Sequence, residues 1–325
     1  MNETNKQLIT LIQEGKTLNQ ISNNLKLSHK QIYMRLRNLK LQGFEYIREY
    51  FYDGNIRYSP ININDNTNKE ISLITKNTDQ QITIMLISDI HLGSIYDRID
   101  LLNKVYDYCL QNNIHIIINA GDIVDGINIG LKKRHTSFDE QINYALKNYP
   151  FDPSILNFIC LGNHDMDYYQ NNNQDITNLL YNYRHDLISL GYSVGSINIK
   201  NEKLFVKHHI SGYKPDKIPN GNLILLGHSH KASICYNGNL SIHIPALCDI
   251  KSIDRLESPG ATLMTISFEN GFFKTGFFQQ FIIDNSFHTV NEFRCDILPN
   301  RTIKRDNQIL FEMNKYGQYI KQKKK

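Results

Sequence analysis

The chain has 325 residues, of which 41% are hydrophobic and 21% are charged. This balance indicates a folded, soluble chain rather than a disordered one, and the length predicts two folded units. The net charge of +4 is uneven, since residues 1–60 carry +4, residues 301–325 carry +6 and residues 61–300 carry −6. Basic ends around an acidic centre suit a chain that binds a polyanion at one end and metal ions in the middle.

The cysteines favour a reducing compartment. They are scattered, odd in number and free of any CxxC spacing: Cys109, Cys160, Cys235, Cys248 and Cys295. This pattern predicts free thiols without a disulfide framework. The N-terminus lacks the apolar core of a secretory signal, and no stretch approaches the roughly 18 apolar residues of a membrane helix. We therefore expect a cytoplasmic protein with no membrane partner.

Residues 1–60 predict three short helices followed by a β-hairpin. Apolar residues recur at helical spacing from about residue 8 and again from residue 18. Ser28 and Gln31 form a capping-box pair at the start of the third helix. Two β-rich runs are joined around Asp53-Gly54, a strong hairpin signal.

This order of elements resembles a winged helix-turn-helix domain. Residues 21–40, ISNNLKLSHKQIYMRLRNLK, are similar to that family's second and third helices, although Lys26 stands where the turn often carries glycine. The resemblance implies DNA as a partner, with the third helix facing a duplex groove and the hairpin touching a backbone phosphate. The side chains expected to contact DNA are Lys30, Gln31, Arg37 and Arg57. The alternative is a helical module that packs on its neighbour or forms a homodimer.

The rest of the chain divides into three segments that differ in polarity and hydrophobic periodicity. Residues 61–80 are polar and aperiodic apart from a short strand at 71–74, and are predicted to be a linker. Over residues 81–283 apolar β-type runs alternate with helical stretches, which predicts an α/β unit with a mixed sheet system flanked by helices. Residues 284–325 end in KQKKK and are predicted to be a C-terminal extension with a basic tail.

Polar clusters follow the apolar runs of this α/β unit. In LISDIHLGS, residues 86–94, strand alternation is expected to point Asp89 and His91 to the same side, just where the chain leaves the sheet. The clusters are DIH at 89–91, GDIVD at 121–125, GNHD at 162–165, HH at 208–209 and GHSH at 227–230. Loops at strand ends are where α/β folds place their sites. Together the clusters supply more ligands than one metal ion requires, so two adjacent divalent ions that share a carboxylate are expected.

The combined pattern resembles the calcineurin-like metallophosphoesterase superfamily over about residues 81–283. The resemblance implies a four-layer αββα sandwich, in which two packed mixed sheets are flanked by helices and the metals lie at one edge. It also implies the ligands: Asp89, His91 and His230 for one ion, Asn163, His208 and His228 for the other, and Asp122 as the bridge. His208 is preferred to His209 because the family's ligand is usually the first of such a pair.

The activity implied by the resemblance is metal-dependent hydrolysis of a phosphoester. Two ions about 3.5–4 Å apart lower the pKa of a bound water and stabilise the phosphate oxygens. His164 has no place among the ligands, so it is expected to be the general acid for the leaving group, oriented by Asp125 as in the family's His–Asp pair. A purely positioning role for His164 is the alternative. The nitrogen and oxygen ligands suit Mn, Fe, Zn or Co, and Mn is expected.

Two departures narrow the substrate. Gly126 and Asp165 stand where the superfamily's protein phosphatases carry Arg and Glu, which disfavours protein substrates. The motifs HLG and GNHD resemble the repair-nuclease branch and various bacterial phosphodiesterases. Hydrolysis of phosphodiester bonds in DNA is favoured because the basic N-terminal module would supply affinity for the duplex. The alternatives are a nucleotide or cyclic-nucleotide phosphodiesterase that dimerises through this module, and a DNA-binding regulator with a metal-binding scaffold.

Overall fold

The structure is a computed structural model that describes residues 2–61, 70–126, 134–172, 175–209, 218, 222–236, 239–249 and 258–297, and the backbone of three short strands between 303 and 320. The helices among these residues are α1 (Glu3–Gln13), α2 (Leu18–Leu25), α3 (His29–Leu41), α4 (Ile99–Gln111), α5 (Phe138–Asn148), α6 (Asn163–Asn172) and α7 (Ile176–Tyr183). None of these helices is both long and apolar enough to cross a membrane.

The first nine strands are β1 (Tyr46–Phe51), β2 (Ile56–Pro60), β3 (Ser72–Ile74), β4 (Gln81–Ile87), β5 (Ile116–Asn119), β6 (Leu156–Leu161), β7 (Leu187–Tyr192), β8 (Val194–Ile199) and β9 (Glu202–Lys207). The others are β10 (Leu223–Leu226), β11 (Ser233–Tyr236), β12 (Leu240–His243), β13 (Gly260–Glu269), β14 (Phe272–Ile283), β15 (Phe287–Ile297), β16 (Ile303–Arg305), β17 (Gln308–Met313) and β18 (Tyr319–Ile320). The three N-terminal helices and the hairpin predicted from the sequence are therefore present.

Local capping explains where the N-terminal helices begin. Ser28 accepts a hydrogen bond from the backbone of Gln31, whose side chain accepts one from the Ser28 backbone N–H at 2.8 Å. Lys26 follows α2 with a left-handed φ of 53°. Glycine adopts this conformation most easily, and here the turn places lysine in it. The departure at Lys26 therefore does not prevent the tight turn between α2 and α3.

The strands form two sheets. One has eight strands in the order β11-β12-β10-β9-β8-β3-β1-β2, and the other has ten in the order β18-β17-β16-β15-β14-β13-β4-β5-β6-β7. Strands β4 to β7 pair in parallel, whereas β13 to β18 pair in antiparallel fashion. The long run of parallel neighbours brings the carboxyl ends of β4, β5 and β6 to one edge.

Alternation along the parallel strands gives the ten-stranded sheet two apolar faces. In β4, Ile84 and Leu86 pack into the core shared with the eight-stranded sheet, and Met85 and Ile87 pack into a second core with α4 and α5. Burial on both faces explains why these strands are continuous apolar runs. The described structure is thus a mixed α/β fold whose layers are helices, the ten-stranded sheet and the eight-stranded sheet.

The structure bears on three of the predicted layers and segments. The described residues of 187–297 contain no helix for the fourth layer expected outside the eight-stranded sheet. Residues 72–74 form β3, as predicted for the short strand within the linker, and residues 62–69 lie outside the described part of the chain. Residues 287–297 form β15 and extend the ten-stranded sheet, whereas residues 321–325 of the basic tail lie outside the described part.

The N-terminal hairpin continues the eight-stranded sheet. Strand β1 pairs in parallel with β3, where Tyr50 lies opposite Leu73. Strand β3 then pairs in parallel with β8, where Leu73 lies opposite Ile199. Backbone hydrogen bonds therefore join the first sixty residues to the α/β unit through β3.

A buried aromatic contact also joins the N-terminal module to the α/β unit. The ring of Tyr33 on α3 stacks on His185 with 4.1 Å between ring centroids. The Tyr58 hydroxyl on β2 lies 2.7 Å from Nδ1 of the same histidine, and all three side chains are buried. Because His185 precedes β7 in the other sheet, it connects α3 and β2 to both sheets.

We expect this contact to make stability depend on pH. Burial, followed by the positive charge of Arg48, holds the pKa of His185 well below its ordinary value. Below pH ~6.5 the unfolded chain gains a proton that the folded chain excludes, so the free energy of unfolding falls by up to ~1.4 kcal/mol per pH unit. Above that pH this cost is absent. Urea unfolding of wild type and His185→Phe between pH 5 and 8 checks this, and equal pH slopes would contradict it.

Candidate metal centre

Three parallel strands position the first three polar clusters. Strands β4, β5 and β6 are neighbours, and each ends shortly before a predicted ligand: Asp89, Asp122 and Asn163. Strands β9 and β10 of the other sheet end just before His208 and His228. Because the two sheets pack face to face, these five ends meet at one edge of the sandwich.

The reason given from the sequence for the placement of Asp89 and His91 is wrong. Strand β4 ends at Ile87, so alternation along a strand does not reach either residue. Both residues have left-handed backbones, with φ of 53° and 49°. Their N–H groups donate to the carbonyls of Gly121 and Asp122, at 2.8 and 3.0 Å. Hydrogen bonds between adjacent loops therefore aim the two side chains into the site.

Left-handed backbones recur among the other predicted ligands. Asp122, His228 and His230 have φ of 53°, 74° and 59°. Positive φ is uncommon for residues other than glycine and costs about 1–3 kcal/mol, so it persists where the surroundings enforce it. Five of the seven predicted ligands share this strain, which is typical of a functional site.

The first group of ligands gathers around Asp89. Oδ1 of Asp89 lies 3.2 Å from Nε2 of His230 and 3.9 Å from Nε2 of His91. These three side chains offer ligand atoms that all lie within 4.8 Å of one another. The group is the one predicted for the first ion.

The second group gathers around Asn163. Its Oδ1 lies 3.1 Å from Nε2 of His208 and 3.0 Å from Nδ1 of His228. His208 is fully buried and its Nδ1 lies 2.6 Å from the Ala120 carbonyl, whereas the neighbouring His209 is exposed. The structure therefore brings His208 into the group in preference to His209.

A single carboxylate belongs to both groups. Oδ2 of Asp122 lies 3.1 Å from Nε2 of His208 and 3.8 Å from Nε2 of His91. Its Oδ1 accepts a hydrogen bond from the backbone N–H of His164 at 2.9 Å. Asp122 is thus held in place on one side and presents its other oxygen between the two sets of imidazoles.

Several buried atoms of the site lack the partners that buried polar groups normally have. Among the described residues, no hydrogen bond of standard geometry reaches Oδ1 of Asp89, either ring nitrogen of His91, or either carboxylate oxygen of Asp125. Leaving such groups unsatisfied costs about 1–3 kcal/mol each. A divalent cation would satisfy Asp89 and His91, and the set of carboxylate, amide and imidazole ligands fits Mn, Fe, Zn or Co.

The electrostatics of the cluster favour a bound cation. Burial alone would raise the pKa of Asp89, but His230 and His208 outweigh it and lower this pKa to about 2. The pKa of Asp122 is likewise lowered, because His208 and other imidazoles outweigh its burial. Burial lowers the pKa of His208, but Asp122 outweighs it and raises this pKa to about 10. A cation that binds His208 must therefore displace a proton, so binding strengthens as pH rises.

His164 and Asp125 do not form the predicted side-chain pair. Nδ1 of His164 lies 2.7 Å from the backbone carbonyl of Asp125. The Asp125 carboxylate faces His91 instead, with Oδ1 at 3.4 Å from Nδ1. Asp125 therefore orients His164 through its backbone and His91 through its carboxylate, an arrangement typical of carboxylate–histidine–metal sites.

The residues predicted to contact DNA lie on α3 and β2. Lys30 is exposed, and the side chain of Gln31 is used in the cap of α3. Arg37 donates to the Tyr183 hydroxyl at 3.1 Å. Arg57 forms a two-pronged ion pair with Glu49, at 2.8 and 3.2 Å, which occupies the guanidinium expected to touch a phosphate.

Asp165 has a role that the sequence analysis did not assign. Its buried carboxylate accepts hydrogen bonds from the backbone N–H groups of Gly162, Ile123 and Val124, at 2.9, 3.0 and 3.1 Å. Burial and the charge of Asp122 raise the pKa of Asp165 to about 7, against these donors. Asp165 therefore connects the loops after β5 and β6 through hydrogen bonds. Its position at the end of the GNHD motif was the sequence feature from which this role could have been predicted.

Solved structures with a similar fold have low sequence identity. Yfce, a phosphoesterase from E. coli, is 13% identical, with a TM-score of 0.40 over 65% of this chain and 98% of that chain. The Pseudomonas putida nuclease MPE is 15% identical, with a TM-score of 0.32 over 55% of this chain and 84% of that one. The NAD nucleotidase of Haemophilus influenzae is 9% identical, with a TM-score of 0.35 over 75% of this chain and 54% of that one. No curated protein matches the sequence.

A family model matches the region that carries the site. The model describes a calcineurin-like phosphoesterase and matches residues 82–255, more than half of the chain. This range contains every predicted metal ligand and the loops that follow β5 and β6. The chain therefore belongs to the calcineurin-like phosphoesterase family and is a metal-dependent phosphoesterase.

Proposed function

We propose that the chain hydrolyses phosphodiester bonds of DNA with two divalent metal ions. The observation that carries the proposal is the position of Asp122, whose Oδ2 lies 3.1 Å from His208 and 3.8 Å from His91. One carboxylate oxygen thus serves two groups of ligands, as a bridge between two ions requires.

The ligands would divide as the geometry groups them. Asp89, His91 and His230 would hold one ion, and Asn163, His208 and His228 would hold the other. Asp122 would contact both, and Asp125 would hold the His91 ring in the orientation needed for binding. When bound, ions of this kind, Mn in our proposal, lower the pKa of a water and neutralise charge on phosphate oxygens.

His164 is the proposed general acid. Its Nδ1 lies 2.7 Å from the Asp125 carbonyl, which can only accept a hydrogen bond, so this nitrogen carries a proton. In the doubly protonated imidazolium form Nε2 also carries a proton, which it can give to the leaving oxygen, leaving a neutral ring protonated on Nδ1. Nε2 lies 3.9 Å from Oδ2 of Asp122 at the centre of the site. The ring keeps 13% of its surface exposed, so a substrate can reach it.

We expect His164→Asn to affect substrates according to their leaving group. A nucleoside alkoxide needs a proton as it leaves, so its release should slow by about 10²–10⁴-fold. A p-nitrophenolate leaves without help and should slow far less. Turnover of DNA and of bis-p-nitrophenyl phosphate by the same variant gives the comparison. Equal losses on the two substrates would mean that His164 only positions its neighbours.

The backbone at Gly126 supports the expectation that protein substrates are disfavoured. Its φ of +76° favours glycine, and a Cβ there would lie 3.1 Å from the His164 carbonyl. The arginine that the superfamily's protein phosphatases carry at this position would therefore be strained. Nucleic acid is favoured by the net charge of +4 on residues 1–60 and by the exposed Lys30.

The experiment is a metal-dependent screen on the full chain. Protein stripped with EDTA is resupplied with Mn, Fe, Zn or Co and given duplex DNA, single-stranded DNA, a cyclic nucleotide and bis-p-nitrophenyl phosphate. We expect metal-dependent cleavage of DNA that weakens steeply as salt rises. Turnover of the cyclic nucleotide alone, insensitive to salt, would instead support the nucleotide phosphodiesterase. DNA binding without any turnover would support the regulator.

A further inference from the structure

A cleft of about 880 Å³ lies between α3 and the helices α5 and α7. We call it the α3–α5 cleft. The side chains that line it and are used below are Lys30, Met34 and Arg37 on α3, Lys147 on α5, Phe151 after α5, and Tyr183 at the end of α7. No step of the proposed chemistry uses this cleft.

The cleft is basic. Among its described lining residues are four cations, Lys30, Arg37, Lys147 and Arg184, and one acid, Asp139. Arg184 is paired with Asp186 at 2.7 Å, but Lys30 and Lys147 are exposed and Arg37 bonds to a hydroxyl. The remaining positive charge fits an anionic occupant.

The cleft also exposes two aromatic side chains and a methionine. Tyr183 and Phe151 keep 43% and 46% of their surface exposed, and Met34 keeps 57%. The guanidinium of Arg37 lies 5.0 Å from the centre of the Tyr183 ring. Aromatic faces interleaved with cations are the combination by which proteins bind single-stranded nucleic acid, since bases stack on the rings and phosphates meet the cations.

The position of α3 disfavours a duplex in this place. One side of the helix is buried, and Tyr33 on that side is stacked on His185. The exposed stripe of Lys30, Met34 and Arg37 is the side that lines the cleft. A recognition helix must enter a major groove about 12 Å wide, and Lys30, Met34 and Arg37 cannot face such a groove while they face α5 and α7 across the cleft.

The cleft extends along α5. Its lining runs from Phe138 to Asn148, a length of about 16 Å at the rise of an α-helix. Gln141 lies in the first turns of the same helix, is buried outside the cleft lining, and donates to the carbonyl of Gly126 at 2.8 Å, next to Asp125. The Phe138 end of the cleft is therefore on the part of α5 that contacts the loop after Asp122.

We propose that the α3–α5 cleft binds a single-stranded segment of DNA and directs it toward the metal centre. The inference rests on the proposed function, and it changes the role predicted for Lys30 and Arg37 from reading a duplex to holding one strand. Tyr183 and Phe151 are the stacking platforms, and Lys30, Arg37 and Lys147 contact phosphates.

Binding is measured by fluorescence anisotropy with the full chain in EDTA, so that the strand is not cut. The probe is a labelled oligothymidylate of about 20 nucleotides, longer than most single-strand sites. Lys30→Glu/Lys147→Glu should weaken binding at least tenfold, and the plot of log K against log salt should become shallower by about 1.4, or 0.7 per lost contact. The matched control is Lys6→Glu/Lys26→Glu, which makes the same charge change at exposed residues outside the cleft. Equal effects of the two double variants would overturn the proposal.

Tyr183 separates stacking from charge. Tyr183→Ala should weaken binding roughly tenfold or more, whereas Tyr183→Phe, which keeps the ring, should bind nearly as well as wild type. A single-strand site would be contradicted if the corresponding duplex bound more tightly than the single strand. It would also be contradicted if polyglutamate displaced the labelled strand as effectively as unlabelled oligothymidylate does. Turnover of bis-p-nitrophenyl phosphate is measured in parallel. If the protein hydrolyses this substrate but the cleft variants bind the oligonucleotide as wild type does, only the cleft proposal fails. If wild type does not hydrolyse the substrate, the result counts against the proposed function.

Discussion

Asp122→Asn is expected to abolish metal-dependent hydrolysis of phosphodiesters. Asparagine keeps the shape and can still accept the hydrogen bond from the His164 N–H, but it removes the negative charge from the atom shared by both ligand groups. The loss should exceed the roughly 10–100-fold typical of outer partners of metal ligands. Turnover of bis-p-nitrophenyl phosphate with saturating Mn is the measurement.

Two controls accompany this variant. Asp100→Asn makes the same chemical change on α4, where the carboxylate is paired with Arg98, and should leave turnover unchanged. Thermal unfolding of Asp122→Asn shows whether the chain remains folded. A folded Asp122→Asn protein that still hydrolyses the substrate at a wild-type rate would refute the shared-carboxylate site.

Gly162→Ala is expected to disable the site through crowding alone. A Cβ at this position would lie 2.2 Å from Oδ1 of Asp122 and 2.7 Å from Nε2 of His208. Atoms this close must move, so the bridge and one imidazole would be displaced together. We expect loss of activity and weaker binding of Mn, measured by isothermal titration, although no ligand has been replaced.

Gly43→Ala is the control for general destabilisation. It has a strained φ of +90°, but no atom lies within 4 Å of its added Cβ, and it follows α3 away from the metal ligands. It should lower the melting temperature without changing Mn affinity. Wild-type Mn affinity in Gly162→Ala would show that the loops around Asp122 yield more easily than the described packing implies.

The residues of the site could be predicted from sequence, but the backbone conformation that orients their side chains could not. The order of polar clusters after apolar runs predicted where ligands would lie, because strand ends are visible in a hydrophobic pattern, and the resemblance to the calcineurin-like family then selected Asp122, His208 and the others. The left-handed turns at Asp89 and His91 are set by hydrogen bonds to Gly121 and Asp122 on the next loop. A local pattern contains no information about such partners. The sequence analysis therefore placed Asp89 and His91 in the site correctly but gave the wrong reason, strand alternation.

The same limit applies to Asp125. The resemblance to the family's His–Asp pair implied a side-chain pair with His164, yet the backbone carbonyl makes that contact and the carboxylate turns to His91. A motif does not distinguish the carboxylate of a residue from its carbonyl. Only the fold of the loop decides which of them faces each imidazole.

The integration of the N-terminal module was also hidden from the sequence. Its helices and hairpin follow from local signals such as Ser28, Gln31 and Asp53-Gly54. Its attachment depends on pairs distant in sequence, such as Leu73 with Ile199 and Tyr33 with His185. A separate module joined by a linker was the natural prediction from local patterns, and the shared sheet is the result of long-range pairing.

Counting and locating the bound ions is the most direct test of the metal centre. Crystals soaked in Mn and measured at its absorption edge should show two anomalous peaks, one on each side of the Asp122 carboxylate. The peak beside His208 and the peak beside His91 should both weaken in Asp122→Asn. Peaks elsewhere on the protein, or an ion-free preparation with full activity, would contradict the binuclear site.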